Sequence, residues 1–149
     1  MTLTNHLLTG SVLAKVLPLP LAIPLAFVSH FVLDALPHFG FKDNRDIENW
    51  QQQKKLLITV WSLDFIVAVL LSIWLVHSGH TKWLLVGLVA YSPDLVWVYY
   101  FVSKEKFGKL KRTKGNRFIQ FHLDIQKFER IWGGGIELIY AAGMFLILR

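Results

Sequence analysis

His30, Asp34 and His38 recur every fourth residue in a stretch otherwise built of Phe31, Val32, Leu33, Ala35, Leu36 and Pro37. On a helix, that spacing puts His30 and Asp34 on one face. His38 follows a further four along, just after Pro37, where a helix can end. Ionisable side chains inside apolar sequence are costly at membrane depth and by default mark a functional site. Neutral imidazole with carboxylate is the usual N/O donor set for zinc and similar divalent ions. The chain has no Cys, so disulfides, thiolate metal sites and cysteine nucleophiles are excluded. The bland alternative is a His30–Asp34 hydrogen bond within a bundle.

Other candidates join from a distance. His6 is twelve residues before Pro18 and His30 twelve after it. Pro18, Pro20 and Pro24 do not fit one straight helix. The pattern predicts a helix from about Thr4 to Val16, a turn over Leu17 to Leu19, and a second helix to about Leu36. Antiparallel arms then bring His6 and His30 to one depth, close enough to share an ion. Asp94 follows Pro93 and reads as a further ligand, a general base or a capping residue. His122 borders the apolar face made by Phe118, Phe121, Ile125 and Phe128, so it can point inward. Glu137 is a ligand or the partner of a basic residue. Asp64 is a bundle hydrogen-bonder or supports a ligand imidazole. His77 and His80 are assigned no role. Gly133, Gly134 and Gly135 read as close packing or a kink, not a phosphate cradle.

The elements that must position these residues are apolar. Of the 149 residues, 54% are apolar and 17% charged, with mean hydropathy +0.43. That excludes a disordered chain. Four apolar stretches run from about Leu7 to Leu36, Leu56 to Val76, Trp83 to Val102 and Ile131 to Leu148. The last three match the ~17–25 residues of a membrane span. Each arm of the first is only ~18–25 Å long, which suits a re-entrant hairpin; two full spans satisfy the charge pattern equally. The first stretch lacks a basic leader and runs on into the His/Asp cluster, so it reads as mature protein. The expected fold is all-α: one domain over 1–149, an integral membrane helical bundle with an N-terminal Pro-broken hairpin and three further membrane helices.

Net charge is +6, and its placement gives orientation. Lys42, Arg45, Lys54 and Lys55 lie between the first two stretches, Lys82 alone between the next two, and nine basic residues from Lys104 to Arg130 before the last. Lys/Arg-rich loops stay cytoplasmic, which implies a multi-pass protein of the cytoplasmic membrane with its His77–Thr81 loop outside. Trp50, Trp61, Trp83, Tyr99, Tyr100 and Trp132 fall near span ends, where aromatic rings favour the headgroup zone. The basic run attracts anionic lipid headgroups; it resembles no nucleic-acid module. His6, His30, Asp34, His38, Asp94, His122 and Glu137 all gather towards the cytoplasmic side.

Thr4-Asn5-His6, the block from Ser29 and His30 through Asp34 to Pro37 and His38, and Ser92-Pro93-Asp94 together resemble the membrane-bound metal-dependent hydrolases of the YdjM type, a family thought to be related to zinc-dependent phospholipase C and P1 nuclease. The resemblance is sharpest over 4–41. It implies an all-helical membrane enzyme with a His/Asp metal site and phosphoester hydrolysis. It supports His6, His30, Asp34, His38, Asp94 and His122 as ligands of a divalent metal such as zinc, with Asp94 and His122 also serving catalysis. The alternative is a non-catalytic membrane protein with a structural metal, or a small ion or proton transporter.

Overall fold

Between two extended residues, Leu17 and Pro18, the chain reverses direction, ending helix α1 (Leu3–Val16) and starting α2 (Leu19–Asp34). Pro20 stands in the first turn of α2, where a missing N–H is no loss. Pro24 lies inside α2, and the helix runs through it. The hairpin therefore forms as its prolines suggest, with Pro24 absorbed in the second arm.

The computed structural model describes residues 1–40, 50–96 and 117–149. Its further elements are α3 (Trp50–His77), α4 (Thr81–Tyr91), a 3-10 turn (Ser92–Asp94), α5 (Arg117–Ile125) and α6 (Gly133–Leu148). The described residues hold no β-strand, so the fold is all-α. Gly79 takes the left-handed φ of 79° that the α3–α4 turn requires. Among the described residues only α3, over Lys55–His77, is long and apolar enough to cross a membrane. The helices α2 and α6 are apolar but have 16 residues each, about 24 Å of rise against a hydrocarbon core of ~30 Å. Of the three further membrane helices expected, one is of sufficient length among the described residues. Residues 97–102 of the third stretch, Tyr99 and Tyr100 among them, and the basic run from Lys104 to Lys114 lie outside the described residues. So do Lys42 and Arg45.

Helix α1 packs against α2, α3, α4 and α6. Its approach to α4 depends on two glycines. A Cβ at Gly10 would stand 2.6 Å from the Val86 carbonyl oxygen, and one at Gly87 would stand 2.6 Å from that of Leu7. Ala22, Ala26, Val86 and Ala90 extend this small-residue seam onto α2. Close backbone approach through small residues is how apolar helices pack without hydrophobic drive. A second cluster joins Leu7, Leu8 and Val12 of α1 to Ala68, Leu71 and Leu75 of α3 and Leu148 of α6. Lys15 donates to the Ile147 and Leu148 carbonyls at 2.7 and 3.1 Å, capping the end of α6.

The distribution of polarity is inverted relative to a water-soluble bundle. Thr4, Asn5, His6, Thr9 and Ser11 of α1 are buried, with His30, Asp34, His122 and Glu137. Large apolar side chains face outward on α2, α3 and α6, reaching 74% exposure at Leu138 and 77% at Ile139. Exposed apolar surface of this extent marks a site of contact with a membrane, a protein or a ligand.

Candidate metal centre

The start of α1 is held from outside. Its N-cap, Thr2, makes no side-chain capping bond, so the first N–H groups need other acceptors. Asp64 of α3 accepts the N–H of Leu3 at 2.7 Å and of Thr4 at 3.1 Å. Glu137 of α6 accepts the N–H of Thr2 at 3.0 Å. Negative charge at a helix N-terminus is favourable in itself. These two carboxylates fix the turn that carries His6. Glu137 therefore binds backbone, where a metal or a basic side chain was the expectation, and Asp64 takes the bundle-bonding role.

His6 and His30 meet across the hairpin. Their rings stack with centroids 4.1 Å apart, as the twelve-residue symmetry about Pro18 implies. His30 is oriented by α4: its Nδ1 lies 3.0 Å from the Ala90 carbonyl oxygen. A carbonyl only accepts, so Nδ1 carries the proton, and in the neutral ring Nε2 presents a lone pair. This is the arrangement that orients a ligand histidine.

The His30 Nε2 faces three more donor atoms. Asp34 Oδ2 is 3.3 Å away, Asp94 Oδ1 3.6 Å and His122 Nε2 3.3 Å. His122 Nε2 is in turn 2.9 Å from Asp34 Oδ2 and 3.6 Å from Asp94 Oδ1. All four donor atoms lie within 4.8 Å of one another. Asp94 comes from the 3-10 turn, placed by the buried Pro93, and it alone of the four is partly accessible. His122 comes from α5, whose Gln126 flank donates to Asp34 Oδ2 at 3.2 Å. The other Asp34 oxygen receives the Met1 amine and lies 3.2 Å from His6 Nε2.

Convergent lone pairs in a buried site repel unless a cation or shared protons lie between them. His6 adds to the case. It is fully buried, its Nε2 faces Asp34 Oδ1 and its Nδ1 makes no hydrogen bond, although unpaired buried polar groups are costly. His30, Asp34, Asp94 and His122 could thus hold a metal ion, with His6 at the edge of the group.

His38 stands apart from these four. Its Nδ1–H donates to the Leu36 carbonyl at 2.7 Å, and Nε2 lies 3.8 Å from Glu129. The His38 carbonyl accepts the Arg130 N–H at 2.9 Å. Its backbone presses on Gly133, where a Cβ would collide. Pro37 ends α2 and sends the chain to this packing point, so the four-residue spacing does not continue as a helix face. Gly133 serves the close packing expected of it. The α1-capping roles of Asp64 and Glu137, and that of Gln126, carry no motif; their only sign in the sequence is polarity amid apolar residues. No family model, no curated protein and no solved structure matches this chain.

Proposed function

We propose that this chain is a membrane-embedded, metal-dependent hydrolase acting on a phosphoester at the cytoplasmic surface of the cell's inner membrane. The observation that carries the reading is the buried convergence of His30, Asp34, Asp94 and His122, with the buried His6 beside Asp34. Zinc suits the all-N/O donor set. A divalent ion would supply Lewis acidity toward a phosphoryl oxygen and an activated water. His30, Asp34, Asp94 and His122 would hold it, with His6 beside Asp34, and Asp94, the partly accessible member, would also be placed to take a proton from water. The resemblance to YdjM-type hydrolases supports phosphoester chemistry, and the basic residues supply attraction for an anionic headgroup. The α3 span and the outward apolar faces support residence in the bilayer.

Metal analysis of purified protein tests this directly. Wild type retains divalent metal, and the His30→Ala/Asp34→Ala double variant does not. Wild type that never retains metal defeats the reading. A second reading has its own support: three of the four donors are fully buried, and structural sites are closed. Hydrolysis of a soluble phosphodiester by metal-loaded protein, absent in the double variant, separates the two.

Sidedness is a separate expectation. The chain has no native Cys, so single labels are clean. Lys111→Cys reacts with an impermeant thiol reagent from the cytoplasmic side and Ser78→Cys from the outer side. Reaction of both from one side would sink the topology.

A further inference from the structure

The segment from Arg117 to Trp132 joins the site to the outside of the molecule. One side of it faces inward: His122 is fully buried against Asp34, and Gln126 donates to the same carboxylate. The other side exposes Phe121 (52%), Phe128 (54%), Ile131 (61%) and Trp132 (61%). These are large apolar groups on a short helix and the turns that follow it, not on a span.

Two observations say what covers this face. It is continuous with the outward apolar surfaces of the bundle. Phe121 packs on Phe31 at 5.4 Å, and Phe31 on the exposed Phe27 of α2 at 5.5 Å; Trp132 leads directly into α6 and its exposed Ile136, Leu138 and Ile139. It also carries an excess of cations, three basic residues against Asp124 and Glu129. Arg117, Lys127 and Arg130 lie in the same segment, and Glu129 is turned toward His38. Apolar rings with basic side chains between them suit the headgroup zone of an anionic bilayer, rings at the acyl boundary and cations at phosphate level.

We propose that Arg117–Trp132 is an interfacial anchor that docks on an anionic lipid surface through Phe121, Phe128, Ile131 and Trp132, and that docking holds α5 so that His122 stays against Asp34. The inference rests on the reading of the chain as membrane-embedded, but not on hydrolysis or on bound metal. The lipid surface is then part of what assembles the site.

The test uses full-length protein in vesicles of phosphatidylcholine alone and of equal parts phosphatidylcholine and phosphatidylglycerol. Spin labels at Phe121→Cys and Phe128→Cys report accessibility to oxygen, which partitions into lipid, and to a water-soluble nickel chelate; Lys127→Cys is the water-facing control. In the anionic vesicles the two Phe sites favour oxygen and the Lys site favours nickel. Amide hydrogen exchange over 117–125 is slower there than in phosphatidylcholine by about fivefold or more, the worth of one basic side chain at an anionic surface. Phe121→Ser/Phe128→Ser abolishes that difference. Nickel access at the Phe sites in both vesicles overturns the proposal, and so does shielding from both reagents, which would identify a protein on this face. Lipid-facing labels with equal exchange in both vesicles overturn the holding of α5. Metal-free protein with lipid-facing labels refutes the hydrolase and leaves the anchor; metal-loaded protein with water-facing labels does the reverse.

Discussion

Asp34→Asn lowers divalent-metal affinity by at least about 100-fold, because even partners outside the ligand set cost ~10–100-fold. The substitution keeps the size and one oxygen acceptor but removes the charge around which the site is arranged. Asp34 accepts from Gln126 at 3.2 Å, and the Nε2 atoms of His122, His6 and His30 lie 2.9, 3.2 and 3.3 Å from its carboxylate. Phosphoester hydrolysis falls with the metal, and added zinc partly restores both. Titration with a competing chelator measures the affinity. Were Asp34 only a hydrogen-bond acceptor in a metal-free bundle, Asn would replace it at a cost of ~1–2 kcal/mol. Wild-type metal content in the Asn variant would therefore end its assignment as a ligand.

Gly87→Val has the largest effect expected away from the site. The new Cβ meets the Leu7 carbonyl oxygen at 2.6 Å, Leu7 Cδ1 at 2.8 Å and Ser11 Oγ at 2.9 Å. Backbone cannot swing aside as a side chain can, so α1 and α4 must separate. Overpacking typically costs ~1–3 kcal/mol, and here the Ala90 carbonyl that orients His30 moves too. Thermal unfolding in detergent shows a lower midpoint, and metal content drops with it. Gly143→Ala is the control. It lies within α6 with nothing within 4 Å of its Cβ position, and it stabilises the helix by up to ~1 kcal/mol. Equal stability of both variants would show that the α1–α4 seam is looser than described.

The hairpin and the pairing of His6 with His30 could be read from the chain because proline acts locally. Leu17 and Pro18 must be extended, and equal arms then bring equal positions together. His38 could not be placed the same way. Once Pro37 ends α2, helical spacing no longer applies, and contacts with Glu129, Arg130 and Gly133 decide where His38 goes. The α1–α4 seam was hidden for another reason: Gly10, Gly87 and Ala90 carry almost no hydrophobic signal, and their importance lies in what is missing from them. Length alone carries less than it suggests. Apolar runs near 20 residues suggested three spans, yet α6 begins only at Gly133 and α4 ends at Tyr91, where Ser92–Asp94 tightens into a 3-10 turn. Asp94 reaches the cluster because of that turn.

His6, on the first helix, and His122 and Glu137, on the last two, have a consequence in time. At ~5–20 residues per second of synthesis, the 88 positions from Asp34, which completes the hairpin, to His122 take about 4–18 s to make. Throughout that interval the hairpin exists without α5 to close over Asp34 and without Glu137 to hold Thr2. The nascent chain carries His6, His30 and Asp34 as an open, incomplete pocket, and full occupancy waits for the final helices. Any metal held there would thus be loaded late in biogenesis, and a ribosome-stalled chain ending before Arg117 would capture it weakly and release it to a chelator within the time that the finished protein resists.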